Sequence, residues 1–340
     1  MSSQIQESSE NFSTKNAFYN PAMTFNREIT IASIINYAES LENEKRNPKL
    51  KILEALGATG LRSVRFAKEI PEKFLKKIIC NDINKDSVKT IHENIKSHKV
   101  EHLVEGNLDN AVKLMQENSI RYEDRKTCSV LNNKRNISDT DINKDAKFSN
   151  LGYDVIDLDP FGSVTPFLDS AVQAIRDNGL LCLTCTDMAV LSGSQLQACY
   201  SYYGTWPVRT GQRKTCHEQA LRTLLHTVDS TCSKYGRSIV PLLSVSVDYY
   251  IRVFVKVVIN KNEQSKSCTR NGLLAVCKSC GNFKTKTFAR LEKNKFVSND
   301  RVKLEGICEI CEGNFTVGGP YYLGDILGLV ETYKQKIWTK

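Results

Sequence analysis

From Lys51 onward, short apolar runs alternate with amphipathic stretches, and that alternation restricts the chain to a small set of folds. Lys51–Gly57 predicts a buried strand closed by a glycine turn, and Leu61–Lys68 opens a helix. A strand at Lys77–Asp82 and a helix at Lys85–Lys96 repeat the unit, and Tyr153–Asp159, Leu168–Ile175 and Leu180–Thr186 continue it as strand, helix and strand. The clearest helix spans Arg213–Tyr235, where Ala220, Leu221, Leu224, Leu225 and Val228 share one face. Two strands, Ser238–Leu243 and Val245–Ile259, follow with no helix between them. Repeated strand–helix units predict an α/β fold with a mostly parallel sheet and helices on both faces, and the closing pair of strands predicts an antiparallel edge.

Two segments break the rhythm. Residues 119–150 are rich in Asn, Asp, Lys, Arg and Ser without periodicity, and are expected to form a flexible surface insertion because they bury too little to offset their ordering entropy. Lys261–Thr269 is polar and reads as a linker, so residues 1–260 are expected to form the main domain and 261–340 a small C-terminal one. At 340 residues the chain has room for both, taking ~150 residues per domain.

Cysteine usage sets the compartment. Of the 12 cysteines, eight are scattered or sit in apolar runs such as Gly179–Thr186, where a free thiol serves as a small hydrophobe. The other four form Cys277-x-x-Cys280 and Cys308-x-x-Cys311, 27 residues apart, which fits a structural zinc site of four thiolates with no open coordination position. Lys and Arg residues between the pairs are expected to form a hairpin that reaches RNA. The first fifteen residues carry glutamates and no apolar core, so no signal or transit peptide is expected, and no run is long enough to span a membrane. An intracellular protein of the nucleus or cytoplasm follows. A formal charge of +9 is compatible with a polyanionic partner without establishing one.

The residue types with chemistry sit at strand ends. Glu54, Gly57 and Gly60 lie in a strand-to-helix turn of the kind that lets backbone approach a ligand closely. Asp82 ends the next strand, where a carboxylate can accept both hydroxyls of a ribose; together these predict an adenosine-containing cofactor, either NAD or S-adenosylmethionine. Asp157-Leu-Asp159-Pro160-Phe161-Gly162 favours the second. The Asp159 carboxylate and the Pro160 carbonyl can accept the two hydrogens of an exocyclic amine, aligning its lone pair on an activated methyl, while Phe161 stacks on the base.

With those blocks in place the sequence resembles the tRNA (guanine-26-N2)-dimethyltransferase family, whose fold is the Rossmann-like class I methyltransferase. The resemblance runs through Phe18-Tyr-Asn-Pro21, Phe25-Asn-Arg-Glu28, Gly57–Arg62, Asn81-Asp82, Asp157–Gly162, Thr184–Asp187, Cys216–Glu218 and Tyr249–Arg252. It implies transfer of one and then two methyls from S-adenosyl-L-methionine to N2 of guanine 26 in tRNA. It also implies that Arg27 and Arg62 contact the cofactor, that Asp82 holds the ribose, that Asp159 is catalytic, and that Phe18 and Phe161 sandwich the flipped base. Where the family has Asp-Ala at the adenine amine, this chain has Asn110-Ala111, and the Asn110 carbonyl is expected to accept that hydrogen bond. The chain ends soon after Gly319–Gly324, where the family continues into a larger domain, so the C-terminal region is expected to be a truncated tRNA-contact domain. A monomer that binds tRNA, with no DNA and no membrane partner, is the expectation.

Other features have plainer readings. His217-Glu218 is expected to cap or pack a helix, and His92, His98 and His102 to be exposed. Arg209, Arg213 and Lys214 beside Tyr203 and Trp206 read equally as a phosphate-contact patch or a solvated loop. The rival functions are amine methylation on DNA or rRNA and a non-catalytic tRNA-binding module. A dinucleotide oxidoreductase is weakest, because it leaves Asp159–Gly162 and the cysteine pairs without a task.

Overall fold

The structure, a computed structural model, describes residues 4–7, 10–14, 19–120, 151–209, 215–304 and 306–328. Phe18, Arg213, Lys214 and residues 121–150 of the expected insertion lie outside the described residues. The chain forms two compact units, Met1–Asp159 with Asp169–Cys182, and Pro160–Leu168 with Leu183–Lys340.

Strands β1 (Gln4–Glu7) and β2 (Glu10–Ser13) form an antiparallel hairpin ahead of helix α1 (Thr24–Asn43). Strand β3 (Leu50–Glu54), helix α2 (Leu61–Glu69), β4 (Leu75–Asp82), α3 (Lys85–Ser97), β5 (Val104–Leu108), α4 (Ala111–Glu117) and β6 (Tyr153–Leu158) follow in the expected alternation. Then come α5 (Thr165–Ala174), β7 (Ile175–Cys185), α6 (Met188–Leu191), α7 (Leu196–Tyr203), α8 (Cys216–Lys234), β8 (Ser238–Val247) and β9 (Tyr250–Val258). Seven of these strands make one sheet in the order β5-β4-β3-β6-β7-β9-β8. Strands β3, β4, β5 and β6 pair in parallel, and β8 pairs with β9 antiparallel. This is the mostly parallel sheet with an antiparallel edge that the sequence predicts.

Ile52, Leu53, Val155, Ile156 and Leu158 are fully buried; because neighbouring residues on a strand face opposite ways, the adjacent pairs Ile52-Leu53 and Val155-Ile156 show that both faces of β3 and β6 are covered there. The chain passes from β3 outward to β4 and β5, then returns to place β6 on the other side of β3. Ligands of doubly wound sheets sit outside the carboxyl ends of the strands at such a reversal. Here those ends are Glu54 and Leu158, with Glu54 registered against Asp157.

Several boundaries differ from the expectation. The closing strands do not break near Ser244; the turn falls at Asp248-Tyr249, where Asp248 takes a φ of 45°. Lys261–Thr269 is not an extended linker but two short helices, α9 (Lys261–Ser265) and α10 (Ser267–Arg270), started by the Asn260 side chain, which accepts from the Asn262 and Glu263 N–H groups. Beyond them β10 (Asn271–Cys277), β11 (Phe283–Thr287) and β14 (Phe315–Tyr322) form a three-stranded sheet in the order β11-β10-β14. Strands β12 (Ala289–Glu292) and β13 (Lys295–Ser298) make a separate hairpin. Within this unit Val208, Val276 and Tyr321 form a small core, and the Tyr321 hydroxyl donates to Gln219 of α8.

Candidate functional site

The glycine turn after β3 is held by its neighbours on β4. The Gly57 N–H donates to the Asn81 carbonyl at 2.7 Å, and a Cβ at Gly57 would stand 2.4 Å from the Cys80 sulfur, so only glycine lets the turn lie this close. Gly60 has a φ of 74° at the N-cap of α2. Asp82, at the end of β4, joins the two loops: Oδ2 accepts from the Ala58 N–H at 2.9 Å and Oδ1 from the Asn84 N–H at 2.8 Å. Each carboxylate oxygen accepts more than one bond, so Asp82 retains capacity for two vicinal hydroxyls.

Arg62, on the first turn of α2, is 6% exposed and faces three acids. Its guanidinium pairs with Asp157 at 3.0 Å, lies 3.8 Å from Glu54, forms a short ion pair with Asp159 through Nη2, and donates from Nη1 to the Asn26 side chain at 2.9 Å. Burial opposes its charge, but Asp157, Asp159 and Glu54 outweigh that and raise Arg62 above its usual value. The Glu54 carboxylate accepts from the Ser63 N–H at 3.0 Å and from the Ser63 hydroxyl. Burial pushes Glu54 up to about 7, with Asp157 adding to the effect.

This gives a pH prediction. Glu54 titrates higher in the folded chain than in the unfolded one, so protonation favours the fold. Its contribution is full below the unfolded value of 4.5 and is lost as pH rises to about 7. Glu54→Gln should therefore flatten that slope and be more stable relative to the parent at pH 8 than at pH 5, read from urea midpoints. An equal change at both values would contradict this origin.

Asp159 follows β6 directly. Its Oδ2 is taken by Arg62, its side chain is 18% exposed, and Oδ1 has no hydrogen bond among the described residues. Phe161 is 78% exposed, two residues after Asp159 at the end of β6. Gly162, at a φ of 80°, is locked to the loop after β7: its N–H donates to Thr186 Oγ1 at 2.8 Å and its carbonyl accepts from the Thr186 N–H at 2.9 Å. Next to Thr186, both oxygens of Asp187 accept from the buried Tyr203 hydroxyl at 2.9 Å, and burial raises Asp187 above the usual carboxylate range. Sequence reasoning quoted the Thr184–Asp187 block but gave it no role. Tyr203, expected in a basic surface patch, is buried; Trp206 and Arg209 are exposed.

Two expected cofactor contacts have other engagements. Arg27 donates to both Glu7 oxygens, at 2.7 and 2.5 Å, and also to Thr24 and the Asn20 carbonyl, with the Tyr19 ring 5.3 Å away. Arg65 adds a second guanidinium to Glu7 at 2.6 Å. The Asn110 side-chain carbonyl has partners at the start of the next helix. It caps α4, accepting from the N–H groups of Val112 and Lys113 at 2.9 and 3.3 Å, while Ala111 is buried behind it. Asp109 beside it bonds Lys113 and the Asn110 N–H. His217 is exposed and contacts Ser246 Oγ at 2.9 Å; it neither caps α8, whose N-cap is Thr215, nor packs in the core.

The four paired cysteines converge. Cys277 and Cys311 sulfurs are 3.4 Å apart, Cys280 and Cys308 are 3.6 Å apart, and all four lie within 4.8 Å of one another. A disulfide needs about 2.05 Å; tetrahedral zinc with bonds of about 2.3 Å spaces its sulfurs close to these values. The N–H groups of Ile310 and Cys311 hold the Cys308 thiol down to about 6.

Comparisons with known proteins agree with this geometry. The model of a family described as N2,N2-dimethylguanosine tRNA methyltransferase matches residues 2–125 and 109–333. A tRNA (guanine(26)-N(2))-dimethyltransferase of Drosophila melanogaster is 34% identical over 365 residues, covering 94% of this chain and 57% of that protein. The one from Mus musculus is 34% identical over 91% of this chain and 50% of its own length, and the one from Schizosaccharomyces pombe is 38% identical over 81% and 45%. The chain thus spans about half the length of these relatives. Trm1 from Pyrococcus horikoshii, solved with S-adenosyl-L-methionine, superposes with a TM-score of 0.68 at 24% identity, over 96% of this chain and 74% of that one, and so shares its fold.

Proposed function

Because the chain belongs to the N2,N2-dimethylguanosine tRNA methyltransferase family, we propose that it transfers methyl groups from S-adenosyl-L-methionine to N2 of guanine at position 26 of tRNA, first one and then two. The observation that carries this reading is Asp159: one oxygen is fixed by Arg62, and the other is open at the end of β6, directly before Pro160 and the exposed ring of Phe161. The bound cofactor supplies an electrophilic methyl on a sulfonium sulfur. Asp159 Oδ1 and the Pro160 carbonyl accept the two N–H bonds of the guanine amine and turn its lone pair toward that methyl. Transfer would form the N–C bond as the methyl–sulfur bond breaks, leaving the cofactor as a neutral thioether; the nitrogen would become cationic, and the Asp159 carboxylate would stabilise it and take one proton. Arg62 holds Asp159 in one orientation through their ion pair, which makes it a positioning residue. Phe161, with Phe18, stacks on the flipped base.

The residues present fit the cofactor. Asp82 has acceptor capacity left for ribose hydroxyls, Gly57 and Gly60 keep the turn low enough for close approach, Glu54 ends β3, and Asn110 with Ala111 follows β5. Arg27, ion-paired with Glu7, is the further contact this reading takes from α1. The test is incubation with labelled S-adenosylmethionine and unmodified tRNA, followed by nucleoside analysis. Dimethylguanosine at position 26 is expected, and its absence from folded enzyme refutes the assignment.

Residues 1–260 carry the transfer chemistry in this reading, and 261–340 the RNA contact. Cys277, Cys280, Cys308 and Cys311 hold one structural zinc, supported by sulfur spacing suited to a tetrahedral ion. Purified protein should contain one zinc per chain by atomic absorption, and Cys308→Ser should lose it; metal-free native protein would remove this claim. Unpaired thiols suit a reducing, intracellular compartment. Among the described residues no helix is long and apolar enough to cross a membrane.

A further inference from the structure

The β12–β13 hairpin exposes a feature that the transfer chemistry does not use. Its register places Leu291 opposite Phe296 and Glu292 opposite Lys295. Lys293 and Asn294 form the two-residue turn with φ values of 46° and 63°. Cross-strand partners lie on one face, so Leu291 and Phe296 stand side by side at the tip, 47% and 45% exposed. The pair holds the two strands together at the tip and still leaves about half of each side chain in water, an apolar surface beside the turn.

Its surroundings identify the partner. Between Cys280 and Cys308 the sequence has seven basic residues and three acidic ones. The hairpin's own acid, Glu292, is neutralised twice, by Arg290 at 2.9 Å and by Arg301. Lys293, in the turn, and Lys295, opposite Glu292 on the other face of the hairpin, are exposed and have no ion-pair partner among the described residues. A stable protein interface needs roughly 800 Å² from each side, far more than two side chains supply. Two apolar groups set among free lysines instead match an unpaired base between phosphates, where stacking and counterion release add together.

We infer that the β12–β13 hairpin is an RNA-contacting arm, in which Leu291 and Phe296 pack on an unstacked base while Lys293 and Lys295 contact the flanking phosphates. The identity of the RNA as tRNA rests on the proposed function. Hairpin-tip changes leave the buried core untouched, so two double variants of the full chain separate the parts: Lys293→Gln with Lys295→Gln, and Leu291→Ser with Phe296→Ser. Unfolding midpoint and cofactor affinity serve as fold controls. Affinity for unmodified tRNA is then measured from low to moderate salt.

The lysine variant should bind about 10-fold more weakly, and its log–log salt slope should be shallower by about 1.5, near 0.7–0.9 per lost phosphate contact. The apolar variant should also lose about 10-fold, with the slope unchanged. Parental affinity and slope in both variants overturn the arm, as does a chain that binds phosphatidylserine vesicles through these residues but not RNA. If the parent binds tRNA through the hairpin yet forms no dimethylguanosine, the arm stands and the methylation reading falls; methylation with tRNA affinity intact in both variants gives the reverse.

Discussion

Asp159→Asn should fold, bind S-adenosylmethionine as the parent does, and lose about 10²–10³-fold in kcat, the usual effect of removing one preorganised electrostatic contact from a transition state. The isosteric change is this damaging because of Arg62. The guanidinium donates to one Asp159 oxygen, so an asparagine must turn its carbonyl toward Arg62 and its NH2 toward the substrate amine. Donor then meets donor, and nothing accepts the proton released from nitrogen. Asp159→Ala should be about as slow, since an amide facing the wrong way helps no more than a methyl. Single-turnover rates at saturating cofactor and tRNA, with cofactor affinity from calorimetry, decide it. An asparagine variant within 10-fold of the parent rate would show that the carboxylate is not the group that grips the amine.

The residues of that site were legible one by one, but their commitments were not. Strands β3, β4 and β6 show in the sequence because each carries a short apolar run, Ile52-Leu53, Ile78–Cys80 and Val155-Ile156, and the glycine turn and the acids lie at their ends. Helix α1 was missed. Its stretch Ile29-Thr-Ile-Ala-Ser-Ile-Ile35 is rich in β-branched residues, and Ile29, Ile31, Ile34, Tyr37 and Leu41 are buried together with Asn26, Arg27, Thr30 and Ser33, so neither propensity nor a clean apolar stripe announces a helix.

Pairings across long sequence separations leave no linear trace. Glu7 meets Arg27 and Arg65 at separations of 20 and 58 residues, and Thr186 locks Gly162 across 24. The Asn110 cap is the opposite case. Asn before a helix is a plain start signal, and Asn110 fills that local role. Cys-x-x-Cys spacing remained readable because each knuckle is a short-range turn, with the Gly281 N–H returning to the Cys277 carbonyl and the Glu312 N–H to that of Cys308.

Arg62→Leu should be the most destabilising single change in this region. The substitution leaves Asp157 with 1% side-chain exposure, Glu54 with 6% and Asp159 with 18%, all without their shared cation. Stranding buried charge by deleting its partner costs about 3–5 kcal/mol, far beyond what the new apolar side chain returns. The size of the loss should depend on pH in a definite direction. Arg62 opposes the upward push of burial on Glu54, so without it the protonated Glu54 favours the folded state more strongly, and that contribution disappears as pH increases. The deficit against the parent should be largest near pH 8 and shrink toward pH 5, as Glu54 takes up a proton. Arg62→Lys should fall between the two, since it keeps the charge but cannot serve Asp157, Asp159 and Asn26 at once with a planar fork. Denaturant titrations at the two pH values give both numbers. A deficit below about 1 kcal/mol at pH 8, or one that does not change with pH, would mean that the three acids are not held by this guanidinium. In that case nothing would fix Asp159 in the orientation that the transfer chemistry needs.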